Sequence, residues 1–218
     1  MGQLTSEFIW RMEEVLDVYE RDYDPKRPVI CFDERPCQLI DDVAAPIPMK
    51  PGRVRRHDHE YKRNGTCVVL IAFEPLTGKR IIDTQERRTK KDYGRFMERV
   101  ARAYRRAEQI TLVQDNLNTH TPSSFYETFP PRSAFRLSQR FHMVYTPKKA
   151  SWLNMAEIEL AVLSSQCLDR RIGEVKKLAQ EVSAWVTERN RRNVTVSWQF
   201  TKDIARDKFG RHYHNIRH

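Results

Sequence analysis

Apolar and polar positions alternate along the chain with two different periods. Residues 6–20 repeat apolar side chains at helical spacing, through Phe8, Met12, Val15, Leu16 and Tyr19, and Ser6 stands where a cap belongs. The stretch "DPKRP" (24–28) breaks that helix, and "VICFDE" (29–34) reads as a short strand. Residues 35–64 read as a long polar connection; after Pro36 it holds Pro46, Pro48 and Pro51. "TCVVLIAF" (66–73) and "KRIIDTQER" (79–87) flank the turn signal "EPLTG", which predicts a β-hairpin. Residues 90–107 predict a helix striped by Tyr93, Phe96, Met97, Val100, Ala103, Tyr104 and Ala107. "QITLVQD" (109–115) predicts the next strand, "SSFYETF" (123–129) a short helix closed by Pro130 and Pro131, and "RFHMVYTP" (140–147) another strand. "LNMAEIELAVLSSQCL" (153–168) is apolar on most sides and predicts a buried helix. A further helix over 174–190 gathers Val175, Leu178, Val182, Trp185 and Val186 on one face. This order predicts an α/β fold, a mixed sheet with helices on both faces.

Composition narrows what such a fold does. The 218 residues, 39% hydrophobic and 31% charged, suffice for one sizeable globular domain. A net charge of +10 and a pI near 9.6 suit a polyanionic partner. No basic amphipathic helix with exposed aromatics stands out, so nucleic acid is favoured over an anionic membrane. No apolar run reaches the roughly 18 residues a membrane span needs. The acids within "MGQLTSEFIWRMEEVLDVYERDYD" exclude a signal peptide. The four cysteines form no CxxC and read as reduced, buried thiols of a cytoplasmic protein. Neither GxGxxG nor GxxxxGK[ST] occurs, which argues against a phosphate-cradling loop.

Two strands end alike. Val29, Cys31 and Asp33 share one strand face, as do Thr111, Val113 and Asp115, and each apolar run closes on its aspartate. As parallel neighbours, about 4.8 Å apart, the strands would present both carboxylates side by side. Such a pair repels unless one acid takes a proton or a cation intervenes. Mg²⁺ prefers oxygen ligands of this kind. A third acid could come from the buried helix, where Glu157 and Glu159 point about 200° apart by the roughly 100° turn per residue. They straddle the stripe of Leu153, Ala156, Leu160 and Leu163 almost symmetrically, so periodicity does not choose between them.

The blocks "VICFDE", "LVQDNLNTH" and "SWLNMAEIEL", in this order, resemble the signature blocks of the DDE transposase domain of the IS630/Tc1/mariner superfamily. The likeness is greatest to bacterial IS630-type transposases, runs from about residue 8 to residue 205, and includes "ERRTKKDYGRFM" and "CLDRRI". It implies a ribonuclease-H-like fold and a metal-binding catalytic triad of Asp33, Asp115 and Glu157. Glu157 is chosen because it occupies the acid position of the family's LNxxE pattern (Leu153, Asn154, Glu157); Glu159 becomes a supporting residue. Asn116 and His120 fall in the DN…H block and are expected to shape the site. The implied cofactor is a pair of Mg²⁺ ions, with Mn²⁺ an alternative. The implied reaction is DNA phosphodiester cleavage followed by strand transfer, on transposon ends and target DNA, in the bacterial cytoplasm at the nucleoid. A homodimer is compatible with it. Two departures stand out. Asp115 and Glu157 have 41 residues between them (116–156), read as a longer loop around 130–140, and Met155 replaces the usual proline.

Basic side chains complete the reading. Residues 87–106 hold nine Lys or Arg and two acids, with Arg95, Arg99, Arg102 and Arg106 opposite the apolar stripe. That face is either plain solvated surface or a phosphate-tracking surface. Lys148 and Lys149, beside the expected site, are the stronger candidates for DNA contact. "HDHE" (57–60) superficially resembles a metal cluster but lacks cysteine partners. The expected organisation is an N-terminal helix and connector (1–27), a catalytic domain (28–205) and a disordered, basic, histidine-rich tail (206–218). No recognition helix is seen before the first strand, so end-specific binding is expected to need another segment. The rival readings are another ribonuclease-H-like nuclease, and an inactive remnant that only binds DNA.

Overall fold

The structure, a computed structural model, describes residues 5–43, 52 and 60–215. One mixed sheet joins β1 (Val29–Asp42), β2 (Tyr61–Glu74), β3 (Lys79–Gln85), β4 (Ile110–Gln114) and β5 (Phe141–Tyr145) in the order β3-β2-β1-β4-β5. β1, β2 and β3 pair antiparallel, whereas β4 joins β1 and β5 joins β4 in parallel. Parallel pairs need crossovers, and these carry α2 (Lys90–Ala103), then α3 (Ser123–Tyr126) and α4 (Pro131–Ser138). Strand alternation divides the core. Ile30, Phe32, Leu70 and Leu112 pack with Phe96, Met97, Phe125 and Leu137 on the face covered by α2, α3 and α4. Cys31, Ile71, Val113 and Val144 pack on the other face, against α1 (Ser6–Tyr19), α5 (Ala156–Leu163) and α6 (Val175–Arg191). Both faces are thus covered, as the sequence predicts.

Several boundaries differ from expectation. Thr5, not Ser6, caps α1; its hydroxyl accepts the Phe8 N–H at 3.1 Å. The expected connection 35–64 is in large part strand. Arg35 pairs with Val69 and Asp42 with Tyr61, across a register shift at Leu39/Ile40. These arms read as loop because only Cys37 and Leu39 are buried beyond Glu34. Pro46, Pro48, Pro51 and most of "HDHE", namely His57, Asp58 and His59, lie outside the described residues. The loop expected around 130–140 is α4, because a proline in the first turn of a helix starts it and breaks only an interior. The helix expected over 153–168 divides into a 3₁₀ turn (Ser151–Leu153), α5 and a π turn (Ser164–Leu168). The stretch after 205 is helical as far as Asn215: α7 (Lys202–Lys208) crosses that boundary and α8 (Gly210–Asn215) follows. Arg206 meets Glu13 at 2.8 Å and Lys202 meets Asp17 at 2.5 Å, which docks α7 on α1. His212 is part of α8, while His214 and His218 fall outside the described side chains.

Candidate active site

Cys31 on β1 pairs with Val113 on β4 in parallel register. Asp33 and Asp115 each stand two residues further along, so the pleat directs Asp33 to the α1/α5/α6 side of the sheet and leaves Asp115 beside it at the end of β4. Asp115 is the first residue past β4, and Glu157 lies in the first turn of α5, which packs on that same side. The Asp33 carboxyl is pushed up to about 7. Burial is the main cause, and the negative charges of Glu157 and Asp115 add to it; the Glu34 N–H (2.7 Å) and the His120 ring oppose it. The three acids therefore share one electrostatic neighbourhood. Among the described residues, however, no three His, Cys, Asp or Glu side chains are grouped as metal ligands. Asp115 instead directs one carboxylate oxygen to His120 Nδ1.

Asn154 ties the first acid to the helix of the third. Its Nδ2 donates to Phe32 O at 2.8 Å and to Asp33 Oδ2 at 3.2 Å. Its Oδ1 accepts the Ala156 N–H at 3.1 Å, and its carbonyl accepts the Glu157 N–H at 3.0 Å. Tyr19 of α1 braces the same turn: its hydroxyl donates to Leu153 O at 2.8 Å. The sequence marked Asn154 as part of a pattern but not this bridging role. Nothing in the spacing announced Tyr19.

His120 is fully buried, stacked on Tyr93 (5.1 Å between ring centroids) and edge-on to Phe32 (5.0 Å). Burial lowers its pKa, but hydrogen bonding to Asp115 and the Glu34 charge outweigh that and push it up to about 9. Its Nε2 lies 3.5 Å from Glu34 Oε2, a charge contact longer than a good hydrogen bond. Arg88 Nη1 approaches Glu34 Oε1 at 2.8 Å but off the hydrogen-bond direction. Gln114 fixes the loop by donating to His120 O at 2.8 Å and accepting from Tyr93 Oη at 2.9 Å. Glu34 and Arg88 are site neighbours that sequence reading missed; only the acid's adjacency to Asp33 hinted at the first. Asn116 is exposed at the rim, one residue past Asp115.

The two glutamates of α5 have unlike surroundings. Glu157 is half-buried on the acid side, whereas Glu159 is 0% exposed and clasped by two guanidinium groups. Arg80 Nε donates to it at 2.6 Å, and Arg189 donates twice, at 3.0 and 2.8 Å. Burial raises the Glu159 pKa, but these bonds outweigh it and hold it below its ordinary value.

The predicted basic residues scatter. Lys148 and Lys149 are exposed just after β5, and Lys148 lines a cavity with Asn116 beside Asp115. Lys149 adopts a φ of 64°. Arg95, Arg99 and Arg102 are exposed along α2. Arg99 sits 3.7 Å from Asp83, and Arg102 is 2.9 Å from Glu98. The C-terminal end of α2 adjoins the starts of β4 and β5, where Arg140 Nη2 donates to Tyr104 O and Arg140 O accepts from Ile110 N. Arg102 is therefore at the end of the sheet opposite Asp115. A hollow of about 510 Å³ lies at that far end, lined by Tyr23, Glu74, Tyr104 and Arg105, away from the acids.

A mixed sheet in this order, helices on both faces and acids on adjacent parallel strands define the ribonuclease-H-like class. Residues 28–179 match the family model described as DDE superfamily endonuclease, and the chain belongs to that family. Its fold is that of the catalytic domain of Mos1 mariner transposase, with 12% identity, a TM-score of 0.57, and coverage of 88% of this chain and 89% of that one. The Mos1 mariner paired end complex with Mn matches at 13% identity and a TM-score of 0.56, covering 88% of this chain and 60% of that one. The Mos1 strand transfer complex matches at 12% identity and a TM-score of 0.58, covering 88% and 59% respectively. The chain thus spans about 60% of the length of the transposase in the paired end complex. No curated protein matches the chain in sequence. Among the described residues no helix is long and apolar enough to cross a membrane.

Proposed function

We propose that this chain is the catalytic domain of a DDE-type transposase of the IS630 kind, which cuts DNA phosphodiesters and joins the freed 3′-OH to target DNA. The observation that carries this reading is Asp33. It stands two residues past the Cys31–Val113 pair on β1, as Asp115 does after β4, and is bonded to Asn154 ahead of the Glu157 helix, with its carboxyl pushed up by burial and by both other acids.

The donor set fits a hard divalent cation. All three side chains offer oxygen only, and burial together with the charges of Glu157 and Asp115 raises the Asp33 carboxyl despite the opposing His120 ring. Asp33, Asp115 and Glu157 would hold Mg²⁺ or Mn²⁺, which supplies activation of the attacking oxygen and stabilisation of the leaving one. Asn154 fixes the Asp33 carboxylate and the start of α5, and His120 orients Asp115. Lys148 and Lys149 take the DNA backbone beside the acids. Arg95 and Arg99 extend that contact along α2, and Arg102 serves flanking duplex further away. The net charge of +10 supports backbone binding, with affinity falling steeply as salt rises. The partners are transposon ends and target DNA. Four buried free thiols suit a reducing cytoplasm.

The test is nicking of supercoiled plasmid in Mg²⁺ or Mn²⁺ by the unaltered chain and by Asp115→Asn. Cleavage that disappears in the variant while DNA binding persists supports the reading. Equal cleavage by both proteins refutes it. Preference for an RNA–DNA hybrid over duplex DNA would favour another ribonuclease-H-like nuclease.

A further inference from the structure

A cavity of about 280 Å³ opens between α1 and the segment after β5, lined in part by Arg11, Asn116, Thr146 and Lys148. It adjoins the acids through the chain itself, since Asn116 follows Asp115 and Thr146 N donates to Gln114 O at 2.9 Å. Its polar groups are prepared for a ligand. Arg11 uses Nε on Glu7 at 3.2 Å, and its guanidinium lies 5.0 Å from the Trp10 ring centroid and 5.9 Å from that of Tyr145. Those contacts hold the planar group in place while its two terminal nitrogens make no hydrogen bond among the described residues. Lys148 is exposed and forms no ion pair there either. Glu7 also lines the cavity, but its charge is committed to Arg11, so the lining remains net positive. Two cations, one with a two-pronged donor face, match a phosphodiester oxygen pair. The exposed Asn116 amide adds a donor and an acceptor at the edge nearest Asp115.

We infer that this cavity seats the nucleotide next to the scissile phosphodiester, with Arg11 and Lys148 on its phosphate. α1 then serves the reaction as a substrate-positioning element as well as a core helix. This rests on the nuclease reading above and adds to it a substrate subsite and a positioning residue, Arg11, outside the acid motifs.

The experiment uses synthetic nicked DNA duplexes in which single phosphates near the cut are replaced, one at a time, by uncharged methylphosphonate. Cleavage by the unaltered chain is compared with Arg11→Gln, Lys148→Ala and, as a charge control just past the end of the same helix, Arg21→Gln. Arg11→Gln and Lys148→Ala are each expected to lose about tenfold in cleavage. At one phosphate beside the cut, methylphosphonate should cost the unaltered chain a similar factor and cost those two variants nothing more. A purely structural role for Arg11 would not produce that selective cancellation. Cleavage by Arg11→Gln equal to that of the Arg21→Gln control, or losses that multiply independently at every phosphate, would overturn the subsite and leave the nuclease reading intact. Absence of any cleavage by the unaltered chain would instead remove the nuclease reading, and the subsite with it.

Discussion

Two acidic centres flank α5, and they are built on opposite principles. On one side, Glu159 is fully buried and surrounded by Arg80 and Arg189, with both carboxylate oxygens hydrogen-bonded. Arg80 is held in turn by Gly78 O and by Val194 O at 2.7 Å. Gly78 turns at a φ of 73°, and a Cβ there would come within 2.7 Å of the Asn193 and Val194 backbone, so glycine is required for that approach. On the other side, the charges of Asp115 and Glu157 act on Asp33, and among the described residues His120 is the cation seen in contact, on Asp115. One centre uses compensated charge to join β3, α5 and α6. In the other, burial and the charges of Glu157 and Asp115 raise the Asp33 carboxyl against the opposing His120 ring, a repulsion that a divalent cation relieves under the proposed function. Two glutamates two residues apart thus serve unlike ends, and only the partners on each side separate them.

The contrast is broken most severely at the three acids proposed to be catalytic. Neutralising any one of them, as Asp33→Asn, Asp115→Asn or Glu157→Gln, should lower plasmid cleavage at least a thousandfold, about 4 kcal/mol of barrier. The same metal-free Glu157→Gln protein should melt no lower than the unaltered chain, because like-charge repulsion has been relieved. Glu159→Gln should do the reverse. It leaves Arg80 buried without its counter-charge, for an expected loss of about 3–5 kcal/mol, seen as a melting temperature lower by roughly 10 °C. A melting temperature within a degree or so of the unaltered chain would sink the assignment of Glu159 as structural. Next in size, Mg²⁺ or Mn²⁺ at a hundred times its dissociation constant should stabilise the chain by about 2.7 kcal/mol, in calorimetry or thermal scans. That gain should vanish in Asp33→Asn and persist in a Glu188→Gln control, where the acid lies at the surface.

The smallest effect concerns compensated acids at the surface. The Glu13 carboxyl is held below its ordinary value first by hydrogen bonding to Arg206, and Asp17 first by hydrogen bonding to Lys202. A lowered native pKa adds stability above the ordinary carboxylate range and loses it as pH falls through the lowered value. Acidification should therefore speed amide exchange in residues 202–208 before the sheet is affected, by a modest factor because these pairs are largely exposed. Exchange there that is independent of pH, after correction for intrinsic rates, would contradict the docking of α7 through charge.

How much of this was legible in the sequence differs by region, for physical reasons. The parallel pairing that precedes Asp33 and Asp115 could be read, because two apolar runs with the same period each lead into an aspartate, although β1 continues past Asp33 to Asp42. The choice between Glu157 and Glu159 could not be read from periodicity, because α5 is apolar nearly all round and its two sides differ only in partners from β3 and α6, remote in sequence. Residues 35–42 and 61–64 looked like loop because their pairing rests on backbone hydrogen bonds and few buried side chains. Pro130 and Pro131 looked like a stop because a proline that ends one helix and one that begins the next are the same residue in a sequence. His120 was placed in a motif, but its burial between Tyr93 and Phe32 depends on rings from a helix and a strand elsewhere in the chain.

Asn154 gives the arrangement a further property. One carboxamide touches the strand of the first acid with its nitrogen and the helix of the third with its oxygen. The gap between those two acids is thereby gauged by a single rigid side chain a few bonds long. Slippage of α5 over the sheet by even a fraction of a turn must first rupture that amide clasp. The site thus carries its own local yardstick, and its dimensions are insulated from slack accumulated in the far larger contacts between helix and sheet.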